Sequence, residues 1–158
     1  MKYEMQDRKK LCKDATVSFF VAFWFINNLG SLMTENQISR FVYECAIEAH
    51  RTLGGPGLLE SVYEEALAWE LLEKGLDVKR QVSLPIPYKG KTLASPLKLD
   101  LLVEDKVTVE CKATTKYNEV FEAQTLTYLR LTGLKLGLVV NFGEKLVKKG
   151  IHRVVNGL

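Results

Sequence analysis

Apolar residues recur at helical spacing through Ile38, Phe41, Val42, Cys45, Ile47 and Ala49, which predicts a helix running to about residue 53. Thr34, followed three residues later by Gln37, supplies a capping box at its start. Gly54-Gly55-Pro56-Gly57 ends it, because glycine permits the sharp turn. A second helix is predicted over 58–74 and is stopped by Gly75. The period then drops to two. Strands are expected at 78–85, at 91–93 after a Lys89-Gly90 turn, and in a hairpin pairing 97–103 with 106–113. Asn118 opens a third helix over 119–132, closed by Gly133. The apolar run 136–141 reads as a buried strand and 151–155 as an edge strand.

The hairpin carries the chemistry. A fold symmetric about Asp105 sets Asp100 opposite Glu110 and Lys98 opposite Lys112. Leu99, Leu101, Val103, Val107, Val109 and Cys111 then share one apolar face, and the charged residues share the other. Opposed side chains on antiparallel strands have Cβ atoms only ~5 Å apart, where like charges repel. Two facing carboxylates in an apolar hairpin ask for a cation, and carboxylate oxygens are the ligands Mg²⁺ and Mn²⁺ prefer.

On the second helix, Glu60 falls within about 20° of Leu67 and Leu71, at the margin of the inward arc. Glu70 lies deeper in that arc, and an inward carboxylate is costly unless paired or metal-bound. A first-turn acid favoured by the helix dipole is the structural alternative for Glu60. Gln124 shares its helix face with Phe121, Tyr128 and Leu131, where it reaches either a phosphate or the backbone.

Composition narrows the class. A chain of 158 residues fits one domain, and its net charge of +3 is too small to drive nucleic-acid binding by overall field. Residues 1–32 hold five basic and three acidic residues, leaving 17 basic against 16 acidic from Met33 onward. Three cysteines without a C-x-x-C spacing argue against a disulfide framework and a zinc knuckle, and suit a cytoplasmic setting. The aromatic run within 15–26 is shorter than the ~20 apolar residues of a membrane span. An upstream extension from an early start codon, a membrane-touching helix and a signal peptide all remain readings of residues 1–32.

Gly57-x-x-Glu60-x-x-Tyr63, Asp100, Glu110-Cys111-Lys112 and the helix bearing Gln124 and Tyr128 occur in an order that resembles the GxxExxY family of the PD-(D/E)XK nuclease superfamily. The resemblance covers residues 33–158, with 1–32 as an extension outside that domain. Pro96, Lys98, Cys111 and Phe121 stand where Gly, Arg, Leu and His are usual. The resemblance implies an α/β restriction-endonuclease-like core, a central mixed sheet flanked by helices. It implies Mg²⁺ or Mn²⁺ held by Asp100 and Glu110, with Glu60 and the Cys111 carbonyl as further ligands. Lys112 would orient or help deprotonate the attacking water, and Gln124 would stand beside the site. The implied reaction is phosphodiester hydrolysis in DNA or RNA. A silent nucleic-acid-binding module and a protein-interaction module on the same fold are the alternatives, with a protein partner or homodimer left open.

Overall fold

Thr34 caps the first helix in the computed structural model, which describes residues 33–158. The readings of residues 1–32 lie outside the described residues. The Gln37 amide donates to Thr34 Oγ1 at 3.3 Å while the Thr34 amide donates to Gln37 Oε1 at 2.9 Å, the reciprocal box expected at the start of α1 (Glu35–Thr52). Its buried stripe is Ile38, Val42, Cys45, Ala46 and Ala49. Helix α2 (Glu60–Glu73) follows the glycine turn, and Gly75 leaves it with a positive φ of 80°.

Strands β1 (Val78–Leu84), β2 (Pro87–Tyr88), β3 (Lys91–Thr92), β4 (Leu97–Val103) and β5 (Val107–Lys112) come next. Helix α3 (Val120–Thr132), β6 (Leu136–Asn141), a 3-10 turn at Val147–Lys149 and β7 (Ile151–Val155) complete the order. A five-stranded sheet is arranged β1-β4-β5-β6-β7, while β2 and β3 pair by themselves. Only β5 and β6 run parallel. This is the mixed sheet flanked by helices that the sequence implies.

All of β6 and nearly all of β5 are buried, as strands covered on both faces should be. Gly137 explains how closely α3 approaches: a Cβ there would overlap the Thr125 methyl of α3 and crowd Thr108 on β5. Leu129 of α3 packs with Val139 and Val154 beneath it. Asn118 turns the chain into α3 by accepting the Val120 amide at 2.9 Å, although Glu119 occupies the capping position.

The hairpin register is the symmetric one, with Leu101 opposite Val109, Leu102 opposite Thr108 and Val103 opposite Val107. Its turn places Glu104 and Asp105 at φ 54° and 52°, a left-handed conformation that non-glycine residues adopt at a cost. Contacts from the start of β1 hold it there. Lys79 Nζ reaches Asp105 Oδ1 at 2.6 Å, and the Asp77 amide donates to Glu104 Oε1 at 2.8 Å.

The parallel pair β5/β6 extends beyond its ladder through one side chain. Fully buried Asn141 accepts the Thr114 amide at 3.0 Å and donates Nδ2 to the Thr114 carbonyl at 2.9 Å, copying a strand partner. The Phe142 amide donates to the Lys112 carbonyl at 2.6 Å. Together they fix the chain as it leaves Lys112. Asn141→Ala would orphan a buried donor and acceptor, so urea denaturation is expected to show a loss of roughly 2–4 kcal/mol. A loss below roughly 0.5 kcal/mol would mean that water replaces the amide freely.

Candidate active site

The regular pairing of β4 with β5 stops one residue short of the acids. At that point Asp100 Oδ2 accepts the Cys111 amide at 2.9 Å, so a carboxylate takes the place of a ladder carbonyl. This local replacement brings the two strand acids around Lys112. Lys112 Nζ lies 3.2 Å from Glu110 Oε2, 3.7 Å from Glu60 Oε1 and 4.0 Å from Asp100 Oδ2. It also donates to the Cys111 carbonyl at 2.9 Å. Three carboxylates from β4, β5 and the first residue of α2 therefore surround one ammonium. Phe121 of α3 stands over it, with its ring centroid 5.7 Å from Nζ, within reach of a cation–π attraction.

Gly57-x-x-Glu60-x-x-Tyr63 acts as one device. Gly57 turns the chain at φ 119°, and the buried Tyr63 hydroxyl donates to the Gly55 carbonyl at 2.7 Å while accepting the Leu58 amide at 3.2 Å. The loop is thus tied to the helix that follows, and Glu60 is presented to Lys112. Tyr63 is itself held by stacking on Phe142, with centroids 4.7 Å apart.

Burial sets the charges. Glu110 is only 5 % exposed at its side chain, and its Oε1 has no hydrogen-bond partner among the described residues. Burial first and the Asp100 charge second raise its pKa from 4.5 to about 7, against the opposing pull of Lys112. Glu60 shifts upward for the same reasons, burial first, with Lys112 opposing and Asp100 assisting. Burial alone would lower the Lys112 pKa, but Glu110, Glu60 and Asp100 outweigh it and hold the ammonium charged.

Gln124 does not join this cluster by a hydrogen bond. Its amide donates instead to the Tyr128 hydroxyl, whose own pKa is raised by burial and by the nearby Glu110 and Asp100 charges. Gln124 is thus paired with Tyr128 on its own helix. Among the described residues, no group of three or more His, Cys, Asp or Glu side chains is poised to hold a metal ion.

The buried acid of α2 is Glu64, whereas Glu70 is only half-buried. Glu64 Oε1 accepts Arg80 Nε at 3.0 Å and Oε2 accepts Gln81 Nε2 at 2.7 Å. Gln81 Nε2 also approaches Asp100 Oδ1 at 3.4 Å. Gln81 lies opposite Asp100, between the pairs Arg80–Leu101 and Val82–Leu99, yet leaves the ladder because its φ is 50°. The backbone turn lets one amide side chain serve two acids. Glu60, Glu64, Leu67 and Leu71 form an i, i+4, i+7, i+11 stripe, but Glu60 on it is 47 % exposed, so the stripe alone does not mark the buried acid. Nothing in the strand pattern marks Gln81.

A family model described as the PD-(D/E)XK nuclease superfamily matches residues 36–154. The chain belongs to that superfamily, whose members typically use divalent metals and act on nucleic acid. No curated protein and no solved structure matches it. Among the described residues, no helix is long and apolar enough to cross a membrane.

Stability should follow the Glu110 proton. Between pH 4.5 and about 7 the unfolded chain has released this proton while the folded chain retains it. The folded state is therefore favoured at the acid end, and stability declines as pH rises through this window, then levels. The full shift corresponds to something on the order of 3 kcal/mol. Urea titrations of metal-free protein at pH 5 and 7.5 should show the decline, and Glu110→Gln should remove most of it. An equal decline in Glu110→Gln would assign the effect to other groups.

Proposed function

We propose that this chain is a metal-dependent phosphodiesterase of the GxxExxY branch, cutting DNA or RNA in a cytoplasmic setting. The observation that carries the reading is the convergence of Glu60, Asp100 and Glu110 on Lys112. The exposed mouth is supplied by Glu60, 47 % exposed, while Glu110 forms the buried base. The buried free thiols of Cys45 and Cys111 suit a reducing compartment.

The donor set suits a hard divalent cation. Glu110 Oε1 is buried without a partner among the described residues, and Asp100, Glu60 and the Cys111 carbonyl offer oxygen only. A carbonyl has two lone pairs, so the Lys112 bond to Cys111 leaves one available. Asp100, Glu110 and the Cys111 carbonyl would hold Mg²⁺ or Mn²⁺, with Glu60 at the edge. When bound, the ion supplies Lewis acidity and a lowered water pKa.

The chain's own residues do the rest. Lys112, kept charged by three carboxylates, offsets negative charge developing on the phosphoryl oxygens and donates a hydrogen bond to the attacking water. That charge state assigns it orientation and electrostatics, with proton abstraction falling to a carboxylate. Glu60, partly exposed and with a raised proton affinity, accepts the water proton. The water oxygen bonds to phosphorus, the bond to the leaving ester oxygen breaks, and that oxygen takes a proton from solvent. Gln124, through Tyr128, flanks the substrate.

The full chain should cleave labelled DNA or RNA with Mg²⁺ or Mn²⁺, and EDTA should stop it. Lys112→Ala is expected to lose at least about 10²-fold in rate while retaining most of the metal-induced rise in Tm. Asp100→Asn should lose that rise and gain slightly in metal-free stability, because it deletes one of two like charges. Absence of both cleavage and a metal shift in wild type would reject the enzyme and leave a binding module.

A further inference from the structure

The proposed catalytic centre has an electrostatic shortfall. It gathers three carboxylates around one ammonium, so by itself it does not attract a polyanion. With 17 basic against 16 acidic residues from Met33 onward, the overall field cannot make up the difference. Any grip on nucleic acid must come from a local cationic surface.

One such surface lies at the same end of the sheet. Because β5 and β6 are parallel and Lys112 pairs with Asn141, the segment after β6 emerges beside the segment after β5. That segment carries Lys145 and Lys148, both exposed and both without an ion pair among the described residues. With Ile47, Arg51, Leu146 and Val147 they line a cleft of about 520 Å³. Among the described residues, no carboxylate lines it. Gly54 and Gly55 form its other wall, and the Gly55 carbonyl is the group tied to Tyr63 in the loop that delivers Glu60. The cleft and the carboxylate centre therefore share one loop and one end of the sheet.

The lining combines two chemistries. Leu146, 48 % exposed, and half-buried Ile47 provide an apolar surface, while Lys145, Lys148 and Arg51 provide charge at the rim. Arg51 is partly committed, since it pairs with Glu48 at 2.7 Å, so the two lysines are the free cations. An aliphatic surface bordered by lysines is complementary to an unstacked base, which buries apolar area there while its flanking phosphates meet the ammonium groups. A duplex keeps its bases stacked inward, so it can offer phosphates to the lysines but no base face to Leu146.

We propose that this cleft binds single-stranded nucleic acid, with a base against Leu146 and Ile47 and adjoining phosphates on Lys145 and Lys148. It serves as a subsite for the strand whose backbone crosses the Glu60–Asp100–Glu110 centre. The inference rests on the phosphodiesterase reading, and it names the substrate form: a single strand or a locally unpaired one.

Binding can be measured without turnover. Fluorescence anisotropy of the full chain in EDTA, with labelled single-stranded and duplex oligonucleotides of mixed sequence, separates gripping from cutting. Single strands should bind more tightly than duplex. Lys145→Ala/Lys148→Ala should weaken single-strand binding roughly tenfold and flatten the slope of log K against log salt by about 1.4, two contacts at ~0.7 each. Leu146→Ser should weaken binding with the slope unchanged. The metal-induced rise in Tm should persist in each variant, showing an intact carboxylate centre. If wild type binds or cleaves and the double-lysine variant matches it in both Kd and salt slope, the subsite is wrong while the enzyme stands. Tighter binding of duplex also overturns it. If wild type neither binds nor cleaves any oligonucleotide, the phosphodiesterase reading itself fails.

Discussion

A carboxylate buried in the middle of a sheet governs this structure. Glu110 sits on β5 between two neighbouring strands, and Lys112, 3.2 Å away, offsets part of the cost of its charge. Burying an ion costs several kcal/mol unless partners replace the lost water. The surrounding elements meet that demand in turn. The β4/β5 ladder gives way so that Asp100 can take the Cys111 amide, α2 begins at Glu60, and α3 brings the Phe121 ring over the ammonium. The balance is incomplete, since Glu110 Oε1 has no hydrogen-bond partner among the described residues. A buried acid with an unspent lone pair is a poor structural element and a good ligand.

The second constraint is backbone strain placed next to the acids. Gln81 leaves the β1 ladder at φ 50°, a conformation costing about 1–3 kcal/mol for a residue of its kind. Its amide then bridges Glu64 and Asp100. Glu64 is anchored from its other oxygen by Arg80. The acid on β4 is thus oriented from both sides, by the Cys111 amide on one and the Gln81 amide on the other. Such bracing holds the Asp100 carboxylate in one orientation.

The glycine turn and the loop after β6 form a third layer of support. Tyr63 ties the turn to α2 and stacks on Phe142, while the Phe142 amide bonds the Lys112 carbonyl. One aromatic pair therefore couples the segment presenting Glu60 to the strand end presenting Lys112. Asn141 extends the same coupling by pairing with both backbone groups of Thr114. Loops that deliver functional groups here are held by side-chain copies of sheet hydrogen bonds.

Local signals were enough for the helices and the hairpin. Thr34 and Gln37 announced α1, Gly75 and Gly133 announced two helix ends, and alternation from Leu97 to Lys112 announced a register that the pairs Leu101–Val109 and Val103–Val107 follow. The gathering of Asp100, Glu110 and Lys112 followed from the same alternation, because period two sorts side chains onto faces without reference to the rest of the fold. Three things were decided only in three dimensions. Glu64 displaced Glu70 as the buried acid of α2, because which residues of a helix face inward depends on the strand it meets, here β1 with Arg80 and Gln81. Gln81 leaves its ladder at φ 50°, and its amide then meets two acids distant in sequence, one of them 19 residues away along the chain. Lys112 took the space between the carboxylates because burial from several elements at once makes an unpaired charge more costly than a crowded one. Periodicity and capping are properties of a few neighbouring residues, whereas the pairing of buried charges is a property of whatever the fold encloses.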